Sequence, residues 1–252
     1  MDQVYIPKKR IGFDIGSYVV LKPLEEEKHI EKPFFYNIKY LEPVKINIIE
    51  EIFRTVEGLV EFDNIIITGS FIEEGFKFND IDVIIVSEEK IDTDHIEEIL
   101  KSRIGAEFHV ISITNKALLK GISTDPLYEA ILSKCAARKR FIYKIKPRIN
   151  YKLLDLHILK SRQLIENFDF LTGDEKYEMT RNLIAIKQFI EGKRITKEEI
   201  DSDINKIFGS KTVQNLKNNM ISKRDFIIKY KKIYKNIHDK ILKGIEDESK
   251  QK

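Results

Sequence analysis

The chain has 252 residues, 42% of them hydrophobic and 34% charged, which is enough apolar surface for a packed core and excludes a disordered chain. Its single cysteine, Cys135, excludes an intramolecular disulfide and a cysteine-based zinc cluster, and no apolar run approaches the roughly 18 residues needed to span a bilayer. The net charge of +3 conceals an asymmetry: residues 1–120 carry 15 basic and 23 acidic side chains, and the remainder 29 and 18.

Residues 10–23 and 32–41 are rich in Val, Ile, Tyr and Phe and predict two strands of a hairpin, separated by the charged stretch around EEEKH. Gly16-Ser17 lies within the first and reads as a turn. Beyond Pro43, residues 46–59 place Ile48, Ile49, Ile52, Phe53 and Val56 on one helical face. Residues 64–86, NIIITGSFIEEGFKFNDIDVIIV, read as strand, Gly-Ser turn, a short helical or looped insert, and a second strand.

Asp92 or Thr93 can cap a helix running to about Ser102, and Gly105 ends that excursion. Residues 106–113 predict a third strand with Glu107 and His109 on one face and Ala106, Phe108 and Val110 on the other. Asp125 and Pro126 start a helix expected to run through Ala136, which makes Cys135 a buried structural thiol on a helix. Residues 140–145 predict one more strand, closing the sheet.

From Asn150 onward the pattern is helical throughout. Tyr151, Leu154, Ile158, Ile165 and Phe168 mark one helix, and Met179, Leu183, Ile186 and Ile190 mark the next. The turn at 171–174, LTGD, separates them. Shorter helices follow Thr196 and Ser210, with Gly192 and Gly209 as stops, and a long one covers about 222–245 with a stripe of Phe226, Tyr230, Ile233, Ile237 and Ile241. The fold class expected is therefore α+β, a mixed sheet flanked by helices and followed by an all-α part, with 1–148 and 149–252 as the two domains. His29, His95, His157 and His238 show no ligand spacing.

The chemistry concentrates in the central stretch. Residues two apart on a strand share a face, roughly 6.5–7 Å apart, so Asp80 and Asp82 converge near the Gly69-Ser70 turn. Hard cations such as Mg²⁺ take one or two carboxylates and complete their shell with substrate phosphates. Gly69 permits close backbone approach, and Ser70 offers a hydroxyl and an N–H at what reads as a helix start, a place for phosphate oxygens. The same residues fit a solvated turn beside two edge-strand charges.

Gly69-Ser70, nine intervening residues and then Asp80-Ile81-Asp82 between apolar strand residues resembles the motif of the DNA polymerase beta-like nucleotidyltransferase superfamily. The likeness covers about residues 46–143. The resemblance implies metal-dependent transfer of a nucleoside monophosphate from a nucleoside triphosphate, ATP for instance, with release of pyrophosphate. It implies Asp80 and Asp82 as metal ligands for Mg²⁺, or Mn²⁺ in its place, and Glu107 as the third carboxylate that completes the metal site or deprotonates the acceptor. His109 is its rival. Gly69 and Ser70 would hold the outer phosphates. Where smaller members carry an arginine after Gly-Ser, this chain has Phe71, Ile72, Glu73 and Glu74, so only Lys77 could substitute.

The basic second half suits a polyanionic partner, as it also suits solvated helix faces. Arg138, Arg140 and Lys144 interleave with Phe141 and Tyr143, a pattern that can track a nucleic-acid backbone and stack a base. A sheet edge guarded by charge has the same pattern. The expected setting is cytoplasmic, without a membrane partner, because residues 1–10 lack a signal-peptide core. The alternative function is a catalytically weak nucleotidyltransferase fold acting as a binding or regulatory protein.

Overall fold

The run NIIIT at 64–68 has no polar alternation to offer solvent, so it belongs in a strand covered on both faces. In the computed structural model, which describes residues 32–141 and 146–250, all five of these residues are buried. The elements run β1 (Phe34–Tyr36), α1 (Pro43–Glu57), β2 (Asn64–Thr68), β3 (Ile81–Val86), α2 (Thr93–Ile104), β4 (Phe108–Ile113), α3 (Asn115–Thr124), α4 (Pro126–Leu132) and β5 (Cys135–Ala137). Five helices follow: α5 (Tyr151–Asn167), α6 (Gly173–Ile190), α7 (Lys197–Phe208), α8 (Thr212–Lys217) and α9 (Lys223–Lys250).

The fold is α+β. Its five-stranded sheet has the order β1-β5-β2-β3-β4, antiparallel except for the β3–β4 pair. One face presents Ile65, Ile67, Ile81, Val83, Ile85, Phe108 and Val110 to the apolar stripes of α1 and α2. The other presents Ile66, Ile84, Val86, Cys135 and Ala137 to Leu118 of α3 and Leu132 of α4. Each isoleucine so buried contributes about 1.5–3 kcal/mol. Leu154, Ile158, Leu183, Ile186, Phe226, Tyr230, Ile237 and Ile241 form a third cluster inside the helical half, where the Tyr230 hydroxyl donates to the Ser161 carbonyl at 2.9 Å. Among the described residues no helix is long and apolar enough to cross a membrane.

Three local expectations are corrected. The helix from Pro126 stops at Leu132, and Cys135 lies on β5 instead. Pairing Ala136 with Ile67 and Ala137 with Ile66 satisfies the free edge of β2, and the Arg138 N–H extends the ladder to the Ile65 carbonyl at 2.8 Å. That gain outweighs one more helical turn. Cys135 is nonetheless the buried thiol expected, its pKa pushed up to about 12 by burial. Arg140 and Phe141 are irregular, and the rest of the expected closing strand, 142–145, lies outside the described residues. The strand expected over 32–41 is only three residues long and pairs with β5; its expected hairpin partner at 10–23, with Gly16-Ser17, lies outside the described residues.

Candidate active site

β2 and β3 are paired so that Thr68 faces Asp82, and the parallel partner of Asp82 on β4 is His109. Side chains on these strands alternate, so Asp82 shares its face with Ile84 and Val86, and His109 shares the same side with Ile111 and Ile113. Asp82 thus stands where that apolar face ends. Thr68 is anchored there by its hydroxyl, which donates to the Ile131 carbonyl at 2.9 Å and lies 3.2 Å from that of Lys134.

The chain then turns at Gly69 with φ +83°, a conformation costly for a residue bearing a Cβ. A Cβ at Gly69 would also lie 2.0 Å from Asp82 Oδ2. The glycine is required twice, once for its backbone angle and once because the carboxylate occupies the space. Ser70 is exposed, and its carbonyl accepts from the Glu73 N–H at 3.1 Å to close a turn. No helix begins here, so the phosphate-facing helix start expected at Ser70 is not formed. Residues 71–80 are a loop, because Phe71 and Ile72 turn inward to the core and Phe71 meets Phe78 edge-on at 5.1 Å.

Burial raises the Asp82 carboxyl above its usual range, and neighbouring Asp80 raises it further. A hydrogen bond with His109 Nδ1, 3.3 Å from Asp82 Oδ1, works against this, as do the charges of His109 and, more weakly, Arg181. Glu107 belongs to the same side of the chain but not to this contact. Its carboxylate is exposed and pairs with Lys101 of α2 at 2.5 Å. Lys77 is exposed on the loop. His109, the rival of Glu107, is therefore the side chain that touches Asp82.

Among the described residues no three His, Cys, Asp or Glu side chains are grouped to hold a metal. The site suits a cation that takes two protein carboxylates and draws its other ligands from a substrate. A half-buried Asp82 repelled by Asp80 has a deficit of positive charge, and its Oδ2 packs directly against the side-chain-free Gly69.

No family model, curated protein or solved structure matches this chain.

Several residues of the site were not singled out in the sequence. Arg181 of α6, the cation acting on Asp82 from the helical half, has no local signal, since it sits in a helix among Thr180, Asn182 and Leu183. Lys45 had one. It lies four residues before Ile49 on the buried stripe of α1, and it is fully buried. Its ammonium donates to the carbonyls of Glu73 (2.5 Å) and Gly75, pairs with Glu42 at 3.3 Å, and lies 5.4–5.6 Å from the rings of Phe71, Phe76 and Phe78. The loop between Ser70 and Asp80 is wound around it.

Of the basic residues after β5, Arg138 is mostly buried and its Nε donates to Glu57, whereas Arg140 is exposed. Lys144 lies outside the described residues. Phe141 stacks on Tyr36 with centroids 4.4 Å apart, so its ring already has a partner.

Proposed function

We propose that this chain is a divalent-metal-dependent nucleotidyltransferase that binds a nucleoside triphosphate at the Gly69-Ser70 turn and the Asp80/Asp82 pair. The observation that carries the reading is the contact between the two halves of the motif: Asp82 Oδ2 fills the space a Gly69 side chain would need. Turn and carboxylate pair thus form one site.

Asp80 and Asp82 would hold the ion, Mg²⁺ or Mn²⁺, which when bound supplies positive charge against the phosphates and the departing pyrophosphate. Ser70 offers its exposed hydroxyl to a phosphate oxygen. His109, exposed and hydrogen-bonded to Asp82, would accept a proton from an acceptor hydroxyl, with the carboxylate fixing the orientation of its ring. Arg181 contributes positive charge from the helical half. The acceptor could be a nucleic acid engaged through Arg140 and its basic neighbours.

A second reading, a catalytically weak nucleotidyltransferase fold that binds or regulates a partner, is favoured by the pairing of Glu107 with Lys101, which turns the expected third carboxylate toward α2. Incubation with labelled nucleoside triphosphates and Mg²⁺, with and without cellular RNA, separates the two. Label transfer that disappears in Asp82→Asn supports the enzyme; no transfer to any acceptor, with nucleotide still bound, supports the second reading.

A further inference from the structure

Glu73 follows Ser70 by three residues, and its carboxylate is clasped by the helical half. One oxygen pairs with Lys197, the first residue of α7, and the other lies 3.9 Å from Lys217, the last residue of α8. Both ammonium groups are substantially covered, with side chains 21% and 35% exposed. Burial and the neighbouring Lys217 pull the Lys197 amine down to about 8, against the charges of Asp201 and Glu198.

Besides Glu73, the carboxylates of Asp201 and Glu198 act on Lys197, and Lys217 acts on Asp201. The Lys217 ammonium lies 4.4 Å from the centre of the Tyr177 ring, and the Tyr177 hydroxyl donates to Asp201 at 2.8 Å. The backbone of α8 is fixed against α6 at Gly173, where a Cβ would stand 2.3 Å from the Lys217 carbonyl oxygen. Arg181, one turn after Tyr177 on α6, acts on Tyr177, on Asp201 and on Asp82.

Two ammonium groups converging on the two oxygens of one carboxylate form a seat that a group with more acceptor oxygens fills more completely. A phosphoryl group brings a larger charge and three acceptor oxygens, and makes stronger charge-assisted hydrogen bonds with such a pair. We propose that Lys197 and Lys217 form an anion seat filled by the Glu73 carboxylate, and that a phosphate group of a bound ligand competes with Glu73 for it. Glu73 is then a built-in competitor, attached to the turn that presents Ser70. The proposal rests on the nucleotidyl-transfer reading only for the source of the phosphate, a nucleotide or a phosphorylated acceptor.

The experiment is calorimetric titration of the full chain at constant ionic strength, without divalent metal, using tripolyphosphate, ATP and a 5′-phosphorylated oligonucleotide in separate arms. Glu73→Gln is expected to bind tripolyphosphate at least fivefold tighter than the wild type, because it removes the competitor and leaves both lysines. Lys197→Ala/Lys217→Ala should bind at least tenfold more weakly; should that pair fail to fold, by circular dichroism, Lys217→Gln alone should still lose at least threefold. Beside the tripolyphosphate gain, tighter binding of ATP but not of the oligonucleotide assigns the seat to the nucleotide, and of the oligonucleotide but not of ATP assigns it to the acceptor. Unchanged or weaker binding of all three ligands to Glu73→Gln would overturn the seat. Asp82→Asn in the same titration keeps the two readings apart: it removes transfer, and the gain from Glu73→Gln should persist in that background.

Discussion

The loop between Ser70 and Asp80 has a charged side chain at each of its supports, and the two are treated in opposite ways. Lys45 beneath the loop is fully buried, yet two carbonyls, a carboxylate and three aromatic rings surround its ammonium. Asp82 beyond the loop is only partly covered, yet its carboxyl is raised by burial and by Asp80, and its side-chain hydrogen-bond partner is an exposed histidine. A buried charge whose partners all come from the protein is scaffold. A charge left short of partners at the mouth of a turn is a candidate for function, as proposed for Asp82.

Lys45→Met tests the scaffold side, and it carries the largest expected effect on stability. Removing a buried cation from its carbonyl partners should cost about 3 kcal/mol in denaturant unfolding. A loss below about 1 kcal/mol would mean that the loop does not depend on it. Gly69→Ala joins the two sides of the comparison. The left-handed backbone and the clash with Asp82 together should cost about 2 kcal/mol. Displacing the carboxylate should also lower transfer by about 10²-fold. Wild-type transfer in this variant would separate the turn from the site.

Asp82→Asn should abolish metal-dependent transfer while raising the melting temperature at pH 7 by about 2 °C. The sign follows from the raised carboxyl: its folded state holds the proton more readily than the unfolded state, so ionisation costs stability above the raised pKa. The advantage of the variant should therefore shrink as pH falls through that raised value and vanish below the ordinary 3.8. A melting difference constant with pH would show that Asp82 titrates normally.

The smallest effect applies the same contrast to the basic segment. Arg138 is already satisfied by Glu57, and Arg140 is exposed. In filter binding with single-stranded RNA over a range of salt, Arg140→Ala should flatten the logarithmic salt dependence by about 0.7, the value of one phosphate contact. Arg138→Ala should leave the slope unchanged. Parallel curves for both variants would remove nucleic acid as the acceptor.

Local chemistry was legible in the sequence wherever it acts over a few residues. Asp92 caps α2 as expected, accepting from the His95 N–H at 3.2 Å, and Thr172 with Glu175 closes the turn that LTGD marked. Strand alternation at Asp82 and His109 was also readable, because the period of two is fixed by the backbone, whereas Asp80 and Glu107 lie one residue before β3 and β4 and outside that alternation. Which of Glu107 and His109 touches Asp82 was not readable. That depends on the β3–β4 register, which pairs Asp82 with His109, and on Lys101, which reaches Glu107 from another element.

What the sequence determined by itself was the α+β class, the succession of helices after Asn150 and the candidate site at 69–82, since periodicity, caps and a turn dipeptide are written within a few residues of where they act. Tertiary structure alone decided that Cys135 pairs in a strand, that Asp82 fills the space left by Gly69, and that Lys45, Lys197 and Lys217 gather around one loop. Each of those outcomes is a contact between residues far apart in the chain, where the free edge of β2 or the charge of a loop carboxylate outweighs local preference. Such balances are set by what packing brings within a few ångströms, and no neighbouring residue in the sequence records them.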